Sequence, residues 1–404
     1  MTSTPIVPAV PLPARHSAGC PFNPPPAYTE AAASAPLTRG DLPGGDSCWL
    51  ATGYAEVRTI LSDRRFSADI RHPSFPLLVA GDREQITATP SFLNLDDPEH
   101  ARLRRMVTGD FLVKRVQAMR PDIQRIVDEA LDTMTDGRTE ADLVADFALP
   151  VPSLVICLLL GVPYEDHEFF QRVGRTLLSN ASKVEQRLAA RDEMLEYLEG
   201  LATRKRAEPR DDIISRLAVR DDLTPREVAS TGILLLIAGH ETTANMISLS
   251  TALLLDRPEQ IARLADPAAL PGAVEELLRH LTIVHTGVAR VALEDVELGG
   301  TTVRAGEGVI AMLSTANRDE EVFGGADRLP VDELDLGRDA RRHLAFGFGV
   351  HQCLGQPLAR AELQIALATL FRRLPGLRLT VPRSELVFRT ESFIYGMRSL
   401  PVTW

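Results

Sequence analysis

The residues best suited to do chemistry surround Cys353. The string FGFGVHQCLGQPLAR places this cysteine between a turn with Gly347 and Gly349 and a helix predicted to begin near Pro357. Glycine allows the backbone to turn tightly and to approach a flat ligand. Main-chain N–H groups at a helix start can point at the sulfur and stabilise a thiolate. The pattern therefore predicts a reactive or metal-binding thiolate, with an inert buried cysteine as the alternative.

Such a thiolate is compatible with a nucleophile, a zinc ligand or an axial ligand of heme iron. A structural zinc site needs four Cys or His ligands, and only His351 is near. A dinucleotide-binding GxGxxG loop would need a third glycine where Gln352 stands, and no strand-helix-strand unit follows. The other cysteines are too few and too scattered for a disulfide framework, and none forms a CxxC pair. Zinc and dinucleotide binding are thus disfavoured, while the remaining roles stay open.

A family resemblance narrows these roles. Phe346, Gly349, His351, Cys353 and Gly355 match the heme-binding loop of cytochrome P450 monooxygenases, and other signatures of that family stand in the same order along nearly the whole chain. The sequence resembles this family, and the resemblance implies a mainly α fold with small β-sheets (α+β), a single triangular cytochrome P450 domain with a long central helix over the heme. It also implies heme b as cofactor, with the thiolate of the cysteine as axial ligand and the other four residues in contact with the heme.

A second motif, AGHETT, lies on a helix predicted over residues 224–255. Gly239 and Thr242 are three residues apart and share a face. Glycine inside a helix costs about 1 kcal/mol relative to alanine, which predicts that the helix opens here and frees the threonine hydroxyl for a ligand or water. The resemblance implies that Glu241 and Thr242 are the acid–alcohol pair that delivers protons, with Ala238 against the heme. On the motif alone, a backbone-bonded hydroxyl and a solvated carboxylate are equally compatible.

Glu276 and Arg279 in EELLR are three residues apart on a predicted helix and can form an ion pair. Alone, this would be a surface pair of little energetic value. The resemblance implies that it is the buried Glu–Arg pair of the family, whose third member is an arginine before the cysteine. Counting forward gives Arg328 at that position, whereas counting backward gives Glu333. An insertion, PVDEL, after Leu329 reconciles the two counts and predicts Arg328 as the third member.

Heme propionates need cationic or hydrogen-bonding partners, for which arginine is well suited. His100 and Arg104 in HARLRR are four residues apart on one predicted helical face. Arg290 opens a predicted strand meander, and His351 lies two residues before the cysteine. Each alone is compatible with an ordinary surface or packed residue. The resemblance implies that all four contact the propionates.

The resemblance also implies the reaction. A thiolate ligand favours O–O cleavage, so oxygen activation is expected. We expect O2 and a mainly hydrophobic small molecule as substrates, in hydroxylation or epoxidation during secondary metabolite or antibiotic biosynthesis. Alternatives are a peroxide-dependent peroxygenase, a non-catalytic heme-thiolate sensor or carrier, and atypical chemistry on the same scaffold. Family position places the following residues at the substrate pocket: Leu235, Val284, Val288, Phe393 and Ile394.

Electrons must come from a separate protein, because no flavin motif or cysteine cluster marks an electron-transfer module in the sequence. The resemblance implies an external ferredoxin and its reductase. Arg102, Arg105, Arg341 and Arg342 are predicted to form the positive patch that receives the ferredoxin, although a solvated run of charges is an equally simple interpretation.

The elements that must position these residues are mainly helical. Apolar residues recur at helical spacing over 97–119, from Pro121 to Gly137, and over 184–206, 224–255, 258–265, 272–281 and 358–374. Alternation around Gly299-Gly300 and Gly306 predicts a short strand meander over 288–312, and more strands are expected after residue 377. Residues 316–343 show little periodicity and are predicted to form a long functional loop.

Length and composition limit the classes of protein to which this chain can belong. The chain has 404 residues and a formal charge of −11, which argues against a general nucleic-acid binder. No apolar run reaches the roughly 18 residues of a membrane span, and no secretory signal is visible, so we expect a cytoplasmic monomer. Nine of the 28 prolines lie in the first 36 residues. We predict that residues 1–36 are extended and docked, or disordered, and that residues 37–404 form one domain.

Overall fold

The computed structural model describes residues 9–17, 19–87, 91–179, 181–326 and 328–404. Helices dominate this part of the chain, as predicted, and strands are short. The α-helices are α1 (Pro26–Ser34), α2 (Tyr54–Ser62), α3 (Arg83–Thr87), α4 (Glu99–Thr108), α5 (Val113–Thr135), α6 (Pro150–Leu160), α7 (His167–Leu178), α8 (Val184–Ala207), α9 (Ile213–Ala218), α10 (Pro225–Leu254), α11 (Pro258–Ala265), α12 (Leu270–Leu281), α13 (Leu313–Ala316), α14 (Glu320–Phe323) and α15 (Gln356–Arg373).

The strands are β1 (Val10–Pro11), β2 (Leu37–Asp41), β3 (Ser47–Ala51), β4 (Phe66–Ser67), β5 (Glu140–Asp142), β6 (Val288–Ala292), β7 (Val296–Leu298), β8 (Thr301–Val303), β9 (Gly308–Ala311), β10 (Arg378–Leu379) and β11 (Pro401–Thr403). The strands predicted over 288–312 are present as β6 to β9, but they do not form a meander, because β6 pairs with β9 and β7 with β8. The expected late strands are β10 and β11. Gly299, Gly300 and Gly306 occupy the turns at positive φ, where glycine is favoured over other residues.

Two helix predictions need correction. The helix expected from Pro121 begins eight residues earlier, and the proline lies inside α5. The helix expected over 97–119 is divided into α4 and the start of α5 by a break at 109–112. Tertiary packing of the long apolar face of α5 outweighs the one hydrogen bond that a proline removes.

The chain forms two compact units, and the first comprises residues up to 96 together with 275–353. Its mixed sheet has the strand order β1-β2-β3-β9-β6-β4, and β7 and β8 form a separate hairpin. In the sheet, Arg290 on β6 lies opposite Val309 on β9. An apolar cluster packs α2 against β9 and α13, and it includes Leu344 at the start of the loop that leads to Cys353. This unit therefore places β6 and the cysteine-bearing loop on one packed scaffold.

Part of the proline-rich N-terminal segment belongs to this unit. Strand β1 pairs in parallel with β2, and the main-chain N–H of Ala14 donates to the Tyr28 hydroxyl at 2.9 Å. Residues 26–34 form α1 and are helical rather than extended. Residues 1–8 and 18 lie outside the described residues, and the predicted single domain over 37–404 stays a prediction.

The second unit comprises residues 97–274 and 354–404. Its central helix α10 packs against α6, α8 and α15. Helix α10 begins sharply because Thr224 and Glu227 cap each other's main-chain N–H groups, at 3.2 and 2.9 Å, and Pro225 occupies the first helical position. Strands β10, β11 and β5 form a small sheet. In the described part of the chain, no helix combines the length and apolarity needed to cross a bilayer.

Candidate active site

The loop that precedes α15 in the chain carries the predicted thiolate. The main-chain N–H of Cys353 donates to the carbonyl of Phe346 at 2.8 Å, which closes the loop. The Cys353 side chain is exposed. Cys48 and Cys157 are buried instead, and burial raises the pKa of each thiol to about 12. The structure therefore separates an accessible cysteine in an ordered loop from two inert cysteines.

Two glycines shape this loop for different reasons. Gly347 and Gly349 have φ values of +70° and +73°, the left-handed region that favours glycine. A Cβ at position 349 would lie 2.2 Å from the carbonyl oxygen of Leu61, so this glycine allows the loop to pack on α2. A Cβ at position 347 would meet no heavy atom within 4 Å. Of these two glycines, Gly347 leaves open space of the kind expected beside a flat ligand.

The start of the loop is fixed by two contacts that the sequence analysis missed. The N–H of Ala345 donates to Nδ1 of His343 at 3.1 Å, so Nε2 of this histidine carries the hydrogen and faces Glu275 Oε2 at 3.1 Å. The N–H of Leu344 donates to Oδ1 of Asn317 at 2.7 Å. A histidine beside a loop motif is too common a signal for its buried partner to be inferred from sequence.

The predicted Glu276–Arg279 pair is present and fully buried. Arg279 donates through Nε and Nη2 to the two carboxylate oxygens of Glu276, at 2.7 and 2.9 Å. Its Nη1 donates to the carbonyl of Asn317 at 2.7 Å, and this asparagine in turn accepts from the cysteine-bearing loop. The bidentate pair therefore anchors the loop through one intermediate residue.

The third member of this network is Arg338, and the prediction of Arg328 is wrong. Arg338 Nε donates to Glu276 Oε1 at 3.2 Å with 1% of its side chain exposed, whereas Arg328 is 38% exposed and donates to the carbonyl of Gly337 at 3.1 Å. The carbonyls of Phe323 and the following loop accept the remaining N–H groups of Arg338. The inserted residues PVDEL therefore lie before Arg338 and not after the arginine of the network. Counting residues along the chain cannot decide between these two placements.

Strand β6 carries a buried cation. Arg290 is 5% exposed, and burial lowers the pKa of its guanidinium to about 10, although Asp96 acts in the opposite direction. Its Nη1 donates to the carbonyl of Ala289 at 2.7 Å. Within the described ranges, no carboxylate lies within ion-pair distance of it. Val284 and Val288, predicted at the substrate pocket, are half-buried and pack against the apolar cluster of the first unit.

In the second unit, one face of α10 is open over a short stretch. Leu234 and Thr242 are half-buried and Ala238 between them is exposed, at the i, i+4, i+8 spacing of a single face. Leu235 is buried, and every residue from 243 to 254 is buried. The opening in this otherwise enclosed helix is therefore local and mainly apolar.

The predicted break in α10 is wrong, because the helix is continuous through this stretch. The hydroxyl of Thr242 donates to the carbonyl of Ala238 at 2.5 Å. A Cβ at Gly239 would lie 2.9 Å from the Ile156 side chain, so close packing of α6 accounts for the glycine. The threonine oxygen keeps lone pairs that can accept a hydrogen bond from water or ligand.

Glu241 faces the protein interior and is 2% exposed, so the solvated alternative is excluded. Its Oε2 accepts a hydrogen bond from Arg389 Nη1 at 2.8 Å. The neighbouring His240 is also buried, and burial lowers its pKa while Glu241 acts in the opposite direction. Glu241 and Thr242 thus bond to different partners. Arg389 was missed because a pairing across 148 residues leaves no local pattern.

The remaining predicted residues of the second unit lie on α4, on α15 and in a C-terminal turn. His100 is buried with Nδ1 3.1 Å from Asp97 Oδ1, and Arg104 is half-buried one turn later on α4. Gly355 precedes α15, whose first N–H groups receive no side-chain cap. Phe393 and Ile394 are half-buried in the turn.

Comparison with known proteins decides the family. A model of the family described as Cytochrome P450 matches residues 268–383. Cytochrome P450-SU2 of Streptomyces griseolus is 61% identical over 397 residues, covering 98% of this chain and 97% of the relative. The chain belongs to the cytochrome P450 family. Pentalenic acid synthase of Streptomyces avermitilis, another relative of this cytochrome P450, is 50% identical over 390 residues, covering 95% of each chain.

Solved structures agree with this assignment. The crystal structure of the mycinamicin VIII C21 methyl hydroxylase MycCI of Micromonospora griseorubida matches this P450 with a TM-score of 0.91 and 40% identity, covering 98% of this chain and 100% of that one. The expected cytochrome P450 fold is confirmed. The protein is a cytochrome P450 monooxygenase that binds heme through a cysteine thiolate, and its relatives support a place in secondary metabolism.

Two features of this P450 match the requirements of heme. The buried Arg290, without a carboxylate partner among the residues described, provides the cation that a propionate needs. The exposed Ala238 on α10 provides an apolar surface of the kind that a porphyrin face covers. The residues present therefore fit the cofactor that the family requires.

Proposed function

We propose that this P450 inserts one oxygen atom from O2 into a mainly hydrophobic small molecule of secondary metabolism, by hydroxylation or epoxidation, with Cys353 as the heme ligand. The observation that carries the assignment is the exposed Cys353 in a loop closed by its own N–H bond to Phe346. When bound, a thiolate-ligated heme activates O2. For hydroxylation, C–H + O2 + 2 electrons + 2 protons give C–OH + H2O.

Several side chains bind and orient the cofactor in this proposal. We assign propionate binding to each of Arg290, His351, His100 and Arg104, as the family resemblance implies. Ala238 contacts the porphyrin face. The Glu276 network positions the cysteine-bearing loop through Asn317.

Proton delivery is assigned to Thr242 and Glu241. The Thr242 O–H is engaged with the Ala238 carbonyl, so the hydroxyl oxygen holds a water as acceptor while Glu241 serves as the nearby acid. Replacing Thr242 by Ala is expected to divert electrons from product to hydrogen peroxide, and a Thr242→Ser variant, which keeps the hydroxyl, should retain coupling. An unchanged ratio of product to peroxide in Thr242→Ala would remove this residue from the path.

The ligand assignment is tested by the visible spectrum of the reduced, carbon monoxide-bound protein. We expect a red-shifted thiolate-type Soret band that Cys353→Ala abolishes. Cys20→Ala is the matched control, since Cys20 is also exposed but lies outside the loop. Loss of the band in the control, or its persistence in Cys353→Ala, would contradict the assignment.

The substrate class rests on the apolar residues Leu235, Val284, Val288, Phe393 and Ile394 and on relatives named for secondary metabolites. Spin-state shifts of the ferric protein are expected with hydrophobic compounds and not with sugars or nucleotides. Product formation that requires O2 and an electron donor distinguishes a monooxygenase from a peroxygenase, which would use hydrogen peroxide alone.

Electrons are proposed to come from an external ferredoxin with its reductase. Of the four arginines predicted to form its docking patch, Arg102 and Arg341 are already in ion pairs with Glu227 and Asp339. Arg105 donates only within α4 and Arg342 lies 5.8 Å from the ring of Tyr54, and neither pairs with a carboxylate in the part of the chain described. Arg105 and Arg342 therefore produce a stronger positive electrostatic potential at the surface than Arg102 and Arg341 do.

Reversing the charge of these arginines separates docking from other effects. Arg105→Glu and Arg342→Glu should lower the ferredoxin-dependent rate and its dependence on salt concentration, and Arg341→Glu should have a smaller effect. Reduction by dithionite is the control and should not change. Equal rates in all three variants and the wild type would refute docking at these positions.

A further inference from the structure

The C-terminal turn, residues 388–397, is an ordered element of the second unit. The N–H of Arg389 donates to the carbonyl of Gly396 at 2.8 Å, and Phe388 and Met397 form a bridge across the base of the turn. The N–H of Phe393 donates to the carbonyl of Leu178 at the end of α7, at 3.1 Å. Main-chain hydrogen bonds therefore hold both the base of the turn and its tip at Phe393.

This turn contacts α10 at two points one helical turn apart. Arg389 Nη1 lies 2.8 Å from Glu241 Oε2, with 13% and 3% of the two side chains exposed. At the second point, a Cβ on Gly396 would lie 1.8 Å from Oδ1 of Asn245. The backbone of the turn thus packs directly on the helix that carries the acid–alcohol pair.

The two oxygens of Glu241 have different surroundings. Oε2 is held by Arg389, whereas Oε1 is buried and accepts no hydrogen bond from the residues described. A Cβ on Gly174 of α7 would lie 3.9 Å from Oε1, an ordinary van der Waals distance, so α7 packs close to this oxygen without donating to it. A buried carboxylate needs a partner to offset its lost hydration. Arg389 provides that partner and fixes the direction in which Oε1 points.

We propose that Arg389 is a positioning residue for proton delivery, whose buried ion pair joins Glu241 to the turn that carries Phe393 and Ile394 at the predicted substrate pocket. A molecule that contacts Phe393 or Ile394 then acts on the orientation of Glu241 through a single short turn. The inference rests on the proposed proton-relay role of Glu241.

The first test measures how electrons are divided between product and peroxide. Misplaced protonation yields O2 + 2 electrons + 2 protons → H2O2 in place of product. With 7-ethoxycoumarin as probe, Arg389→Gln should lower the ratio of product to hydrogen peroxide about tenfold, less than the ~10²-fold expected when a general acid is lost outright. Arg389→Lys, which keeps the cation, should restore the ratio to within about threefold of the wild type.

Arg398→Gln is the matched control. Arg398 directly follows the turn and pairs with Glu391, but it is 56% exposed and, among the residues described, forms no ion pair with Glu241. Its replacement should leave the ratio of product to peroxide unchanged. Equal ratios in Arg389→Gln and Arg398→Gln would overturn the inference.

A second test needs no turnover. In the ferric holoprotein, hydrogen exchange is measured with and without 7-ethoxycoumarin for the segments 238–246 and 388–397. The probe should slow exchange in both segments of the wild type, and less in 238–246 of Arg389→Gln, because the ion pair to Glu241 is removed while the packing of Gly396 on Asn245 remains. Equal protection of 238–246 in the variant and the wild type would show that the ion pair does not connect the two segments.

Two further outcomes complete the design. If Arg389→Gln fails to incorporate heme, Glu241→Gln/Arg389→Gln replaces both charges and is expected to fold. This double variant should have the same product-to-peroxide ratio as Glu241→Gln alone, since Arg389 acts only through Glu241. A further fall in the ratio would contradict the inference. A wild type that forms no product with O2 and electrons, but binds the probe, would count against the proposed function instead.

Discussion

Glu276 and Glu241 are both buried carboxylates bound by arginine, but their hydrogen bonding differs. Glu276 accepts from Arg279 through both oxygens, from Arg338 at 3.2 Å and from the N–H of Asp335 at 3.1 Å. Glu241 accepts only from Arg389 among the residues described, and its Oε1 is buried without a donor. The first carboxylate is saturated with donors, and the second is half saturated.

The difference distinguishes a structural carboxylate from one that can exchange partners. Moving Glu276 would break four hydrogen bonds at once, which makes its network rigid and suits an anchor for the cysteine-bearing loop. Glu241 can gain a donor at Oε1 without losing Arg389. A proton-relay residue needs this property, because it must bind and release a water or proton during the reaction.

The largest expected effect tests the anchor. Arg338→Ala should lower the free energy of unfolding by about 3–5 kcal/mol, because it removes a buried donor to Glu276, leaves the carbonyls of Phe323, Leu329 and Pro330 without that partner, and opens a cavity. Arg328→Ala should cost less than about 0.5 kcal/mol, because Arg328 lies at the surface and, among the residues described, does not bond to Glu276. Urea denaturation of the two holoproteins measures the difference. Equal losses would restore Arg328 to the network.

A smaller effect is expected at the half-saturated site. Glu241→Gln keeps the shape and one acceptor for Arg389 but removes the charge, so the free energy of unfolding should fall by about 1–2 kcal/mol. Glu391→Gln, at the exposed pair with Arg398, is the control and should change it by less than about 0.5 kcal/mol. A loss in Glu241→Gln as large as that in Arg338→Ala would mean that both carboxylates are structural.

The sequence predicted what local patterns determine. Helix α11 has the predicted bounds, and α10 lies within one residue of the predicted 224–255 at each end, because helical spacing is a local pattern. The string around Cys353 located the loop in the same way. Partners such as Arg338, Arg389 and His343 were not predicted, since their roles depend on contacts between distant segments. The glycine in AGHETT was misinterpreted because its cause, the packing of α6, is also tertiary.

A third buried carboxylate, Glu362 on α15, extends the comparison to a site where no described cation forms an ion pair with the carboxylate. It is 2% exposed, its Oε2 accepts no hydrogen bond from the residues described, and burial raises its pKa well above the ordinary value of 4.5. Between pH 4.5 and that raised pKa, the folded protein keeps a proton that the unfolded chain releases. The free energy of unfolding should therefore fall as the pH rises through this range.

Glu362→Gln replaces the carboxyl group by an amide that does not ionise. We expect this substitution to raise the free energy of unfolding, whereas substitution of the paired carboxylates should lower it. The variant is expected to be about 1 kcal/mol more stable than the wild type at pH 8, with the difference vanishing near pH 4.5. Glu129→Gln, at a carboxylate that is 58% exposed, should show no such trend. Denaturation curves at several pH values measure both. A Glu362→Gln protein that is less stable than the wild type at pH 8 would mean that Glu362 has a hydrogen-bonding partner, as Glu276 and Glu241 have.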